Sequence, residues 1–126
     1  MRRNLKWTLP VAAVLAALPA AASGQELPAG VTAETIEQGK QIFHGDGLCV
    51  SCHGQDGQGT PIAPILADAT WLHIDGSFDA LVGLITKGVD APKEAPIPML
   101  PKGGSSITDD QVKAVAAYVW KLSHGG

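Results

Sequence analysis

The chain has little of what usually holds a small domain together. Aromatic residues make up 5% of its 126 positions and charged residues 17%, with two cysteines and two methionines. So few aromatics leave a domain of this size short of core, and glycine, at 15 positions, adds more loop than packing. Two cysteines are too few for a disulfide framework. Spaced as Cys49 and Cys52, they would also close a loop too small for a bridge to contribute much stability. Beyond its first residues the sequence has no internal repeat, and no segment alternates polar and apolar residues as a strand does.

What is present begins with an export pattern. Arg2, Arg3 and Lys6 precede an apolar run from Trp7 to Leu18, interrupted by Pro10, and Ala20, Ala21 and Ala22 supply a small-residue cleavage site. The run is too short to cross a bilayer comfortably, which favours a cleaved signal over residues 1–22 rather than a retained anchor. No cysteine lies near the cut to take a lipid. Cleavage after Ala22 leaves 104 residues, and cleavage after Gly24 is the second possibility. Residues 23–31 are then expected to be a flexible lead-in and 32–126 the folded domain, located in the periplasm. Losing three of nine basic residues while all twelve acids remain takes the formal charge from −3 to −6. An acidic surface disfavours nucleic acid and anionic membranes, and suits a partner with a basic docking patch.

Three helical patterns follow. The first covers about 33–43, with Thr32 as N-cap and Ile36, Gly39, Ile42 and Phe43 near one face. The second runs from Phe78 to Lys87, opened by Ser77 and stopped by Gly88. The third opens with Thr108, has Gln111 placed for a capping box, and can staple Ile107 against Val112. Its apolar stripe is Val112, Val115, Ala116, Val119 and Leu122. A further helical turn through the cysteines would put both thiols on one side. The expectation is an all-α domain of three to five short helices. Between the second and third helices lies a loop stiffened by Pro92, Pro96, Pro98 and Pro101, and inside it sits Met99, the sole methionine apart from Met1.

The chemistry concentrates in Cys49-Val50-Ser51-Cys52-His53. A zinc site needs four ligands, and the available histidines, His44, His53, His73 and His124, repeat no zinc spacing. A redox dithiol belongs at a helix start inside a βαβ framework, and no strands are evident. The pattern C-x-x-C-H matches covalent haem c attachment. Thiols one helical turn apart can add across the two vinyl groups, and the adjacent imidazole then reaches the iron. A covalently held porphyrin would also supply the apolar surface that the sequence lacks, so the apoprotein should be largely unfolded.

With that motif, "GKQIF", "TPIAPIL", "PMLP" and "VAAYVWKLS", in this order, the chain resembles the class I cytochromes c, the small bacterial monohaem type. The resemblance implies a fold in which the first and last helices cross and a haem lies in a crevice with one edge exposed. It implies Cys49 and Cys52 as thioether anchors, His53 as the proximal ligand and Met99 as the distal one. It makes Pro64 the residue whose carbonyl orients His53, Gly39 the small residue at the helix crossing with Tyr118 packed over it, and Trp71 a partner of a haem propionate. His73 is the rival distal ligand, while His44 and His124 are expected at the surface. Gly54, Gly57 and Gly59 read as tight turning rather than a phosphate loop, since no lysine accompanies them. Asp109 and Asp110 suit the positive end of a helix better than catalysis.

His/Met ligation leaves no open coordination site, so the implied function is one-electron transfer rather than enzymatic turnover. The expected role is a periplasmic carrier shuttling between a donor oxidoreductase and an acceptor. The alternatives are a haem c subunit of a larger dehydrogenase or oxidase complex, or an open-site haem enzyme or sensor.

Overall fold

The computed structural model describes residues 10–14 and 26–125. Apart from 10–14, the expected signal segment lies outside the described residues, as do both candidate cleavage points. The helices are α1 (Ala33–His44), α2 (Val50–His53), α3 (Phe78–Lys87) and α4 (Asp109–Ser123). Three of them start at a hydroxyl that takes an otherwise unpartnered first-turn N–H. Thr32 Oγ1 accepts from the Thr35 N–H at 3.1 Å, and Ser77 Oγ from the Ala80 N–H at 3.3 Å. At α4 the capping box is complete: the Gln111 N–H donates to Thr108 Oγ1 at 3.2 Å, and the Thr108 N–H to Gln111 Oε1 at 2.8 Å. α1 runs one residue past Phe43, which makes His44 its last member.

α4 is the centre of the domain. Its stripe is wider than its sequence period implies: Ala114, Ala117 and Trp120 are buried alongside Val112, Val115, Ala116 and Val119, because α1 covers one side and α3 another. Phe43 from α1 and Leu81 and Ile85 from α3 complete the core. The α1–α4 contact is the most extensive between helices. Gly39 sits at its closest point, where an added Cβ would lie 2.5 Å from the Ala114 carbonyl carbon and 3.0 Å from Tyr118 Cβ. Only a residue without a side chain lets two helix backbones approach this far. The first and last helices thus cross as the resemblance implied.

Of the expected flexible lead-in, residues 26–31 are described, and they are not loose. From Leu27 onward the segment is docked: Leu27 packs against the core, Val31 is buried, and the Val31 N–H donates to Pro28 O at 3.0 Å. Burial of these two apolar side chains offsets part of the freedom lost in docking the segment. No strand forms among the described residues, but two isolated antiparallel bridges do, Thr60–Ala63 and Val89–Met99. In the long loop a short 3-10 turn, Pro101–Gly104, begins on a proline whose fixed φ suits a first helical position. No helix among the described residues is long and apolar enough to cross a membrane.

Candidate functional site

A crevice lined mainly by apolar side chains opens beside α4. Phe43, Leu81, Ile85, Val115 and Val119 form its inner wall, and its outer walls come from the loops. Cys49, Cys52, His53, Pro64, Trp71 and Met99 all line it, so one cavity gathers every site residue named from the sequence.

The cysteine turn is set by backbone geometry on both sides. Leu48 takes a left-handed φ of 61°, rare for a branched side chain, and so turns the chain into α2. The Cys52 and His53 N–H groups both donate to Cys49 O, at 3.2 and 2.9 Å, and Thr60 Oγ1 donates to Cys52 O at 2.6 Å. Burial pushes the Cys49 thiol up to about 11; a backbone hydrogen bond opposes this and nearby Cys52 adds to it. His53 is buried, and its Nδ1 lies 2.9 Å from Pro64 O. A carbonyl can only accept, so Nδ1 carries the proton and Nε2 keeps its lone pair. Burial, which favours the neutral form, also holds this ring's pKa below the ordinary value, against the opposing pull of the Pro64 carbonyl. A neutral imidazole with a free Nε2 at the wall of an apolar crevice is what a metal ligand requires. Gly54, Gly57 and Gly59 wrap this turn, the Gly59 N–H returning to His53 O at 2.9 Å.

Met99 is half-buried in the opposite stretch of chain and is held by its own backbone. Its N–H donates to Val89 O at 3.1 Å, and the Val89 N–H donates back to Met99 O at 2.8 Å. Gly88, with φ +73°, makes the return possible; a Cβ there would lie 2.8 Å from Leu100 C and Pro101 N. Lys93 ties the same loop across the crevice, its Nζ donating to Leu72 O at 2.6 Å and its N–H to His73 Nε2 at 3.3 Å. His73 is exposed, and that bond already uses Nε2. Trp71 is half-buried in the crevice wall against Gly76, and its indole N–H has no partner among the described protein atoms.

Two surface expectations fail. His44 is half-buried, with Nδ1 2.7 Å from Lys40 O and Nε2 2.6 Å from Gln55 O, because the loop after α2 folds back onto the end of α1. His124 is half-buried too, stacked on Trp120 with ring centroids 4.2 Å apart and Nδ1 2.8 Å from Trp120 O. Sequence reasoning also missed Val89 and Lys93, which fasten the methionine loop. Their partners lie far along the chain, and no local pattern announces them. Among the described residues no group of three or more His, Cys, Asp or Glu side chains gathers around a common point.

A helical domain wrapped round an apolar crevice, with two thiols and a free imidazole on one turn of its wall, defines a protein built to hold a covalent haem. The Cytochrome c family model matches residues 36–123, and the chain belongs to that family. The FixP subunit of a cbb3-type cytochrome c oxidase from Rhizobium meliloti is 39% identical over 93 residues, covering 71% of this chain and 28% of that protein. Cytochrome c-554(548) from Halomonas halodenitrificans is 33% identical over 73 residues, covering 57% of this chain and 81% of that one. Among solved structures, cytochrome cL from Methylophaga aminisulfidivorans superposes with a TM-score of 0.55 at 23% identity, over 71% of this chain and 53% of its own, a likeness of fold. The chain spans under a third of the length of the FixP oxidase subunit. As a family member with Cys49 and Cys52 in the C-x-x-C-H motif, it carries one covalently bound haem c and serves electron transfer.

Proposed function

We propose that this chain is a periplasmic one-electron carrier whose iron is held by His53 and Met99, with Cys49 and Cys52 as the thioether anchors. The observation that carries this reading is the shared crevice. It holds the C-x-x-C-H turn, with Nε2 of His53 free, and the chain's sole internal methionine, fastened by the Val89 bridge. When bound, the haem supplies a single-electron iron couple, and a thioether ligand favours the reduced state. The protein's own part is positional. Pro64 orients the imidazole, the inner apolar wall excludes water, and Trp71 lies where its indole N–H could meet a polar edge of the cofactor. Ile62, Ile65 and Ile97 are exposed at the crevice mouth and suit brief contact with a redox partner, while the acidic surface favours one that presents basic groups.

A second reading is supported by the FixP relative: the same domain held on a larger oxidase. Size-exclusion of the native protein from a periplasmic extract separates the two, a free carrier eluting as a small monomer. The ligation itself is tested by the far-red charge-transfer band of methionine-bound ferric haem. That band should be present in the parent, absent in Met99→Ala, and replaced by binding of added imidazole. A band that is missing from the parent, or survives the substitution, refutes Met99 as ligand.

A further inference from the structure

His44 has both ring nitrogens against carbonyl oxygens, Lys40 O at 2.7 Å from Nδ1 and Gln55 O at 2.6 Å from Nε2. A carbonyl oxygen has no proton to give, and a neutral imidazole has only one N–H. Both bonds therefore exist together only when the ring carries two protons and a positive charge. With a neutral ring, one nitrogen lone pair would face an oxygen lone pair at that distance. The separations are those of charge-assisted bonds.

The surroundings suit a cation. The ring packs T-shaped on Phe43, with centroids 5.2 Å apart, and lies 6.0 Å from the ring of Tyr118 on α4. The Tyr118 hydroxyl is raised by burial and then by the negative charges of Asp56 and Glu37, so this corner feels carboxylates from the loop after α2 and from α1. The other charged side chains close in sequence are Lys40, one turn back on α1, and Asp46, two residues on.

What the ring holds leads to the haem-binding turn. Gln55 lies two residues after His53. In the same loop Gly57 O accepts from the Leu66 and Ala67 N–H groups at 2.7 and 3.1 Å, two and three residues after Pro64, whose carbonyl orients the His53 ring. We propose that His44 is a positioning residue for His53 that works only as the imidazolium, pinning the Gln55 carbonyl, and through it the 54–59 loop, to the end of α1. When the ring loses a proton one of its two bonds goes, the loop is released from one side, and a positive charge leaves the neighbourhood of the crevice. Both changes tie the redox centre to pH. The redox part rests on the proposal that His53 binds iron, whereas the hydrogen-bond part does not.

The experiment is nitrogen NMR of the ring in the reduced, full-length holoprotein, taken from about pH 5 to 8, with midpoint potentials over the same range for the parent and His44→Gln. The expected result is two ring N–H groups on His44 wherever both carbonyl contacts are made, with the Gln55 carbonyl signal shifting wherever one ring proton is lost. The parent's potential should drop as that proton leaves, and the drop should shrink in His44→Gln, which cannot change charge. A single ring N–H at every pH, or a Gln55 signal that ignores the ring, overturns the clamp. Matching potential curves for parent and variant overturn the link to His53 even if the clamp stands. The parent NMR needs no variant to fold, and a failure of Met99 ligation leaves the ring measurement intact.

Discussion

The same substitution, glycine to alanine, should have opposite signs in two helices of this domain. At Gly83, inside α3, an added Cβ meets nothing within 4 Å, and the backbone there is ordinary helix. Gly83→Ala should therefore stabilise by about 0.5–1 kcal/mol, the cost of a mid-helix glycine removed. At Gly39 the same gain is available, but the Cβ would fall within bonding range of the Ala114 carbonyl oxygen and 2.5 Å from its carbon. Those atoms belong to the backbone of α4 and cannot rotate away, so α1 must lift from its main packing partner. Overpacking of this kind costs about 1–3 kcal/mol, and a rigid neighbour puts it at the upper end. The net for Gly39→Ala is a loss of about 2 kcal/mol, which in a domain of this size lowers Tm by roughly 10 °C. Gly83→Ala should raise it by about 4 °C. Thermal and denaturant melts of the two holoproteins, followed by far-UV circular dichroism, measure both. If Gly39→Ala matches the parent, or gains what Gly83→Ala gains, the close α1–α4 approach is refuted.

Two further outcomes follow from the loops and caps. Gly88→Ala forces a side chain onto φ +73° and ψ −168° and against the Leu100–Pro101 backbone, so about 3 kcal/mol should be lost. The far-red methionine band should weaken at the same time while helix content persists; an unchanged band and melt refute Gly88 as the support of the Met99 loop. Thr108→Ala removes one half of the capping box and should cost about 1 kcal/mol in a denaturant melt without shifting the midpoint potential, and a shifted potential would contradict a purely local cap.

The helices were legible because their signals are local. Thr32, Ser77 and Thr108 lie next to the N–H groups that they satisfy, and Gly88 ends α3 from the adjacent position. The C-x-x-C-H turn was legible for the same reason, since its three side chains fall within five residues. What escaped depends on contacts between distant positions. His44 reads as a polar residue at a helix end, and nothing near it says that Gln55 will fold back onto its ring. Lys93 reads as a loop lysine, yet its partners lie twenty residues earlier. Leu27 and Val31 sit in a segment rich in small and turn residues, so its apolar members count only once a core exists for them to cover. α4 buries more than its stripe because two helices flank it, which periodicity, read one face at a time, does not register.

The two side chains proposed to hold the iron share a property of their supports. His53 is oriented by a main-chain carbonyl, and Met99 is carried on a residue whose N–H and C=O are both engaged by Val89. Main-chain supports of this kind do not swing with side-chain rotamers, so the backbone that carries each proposed ligand keeps one position. If His53 and Met99 hold the iron, such fixed mounts limit how far the site rearranges with each electron and so favour a small reorganisation energy. On that reading, the speed of transfer at a given driving force would be set by how closely a partner approaches the crevice mouth.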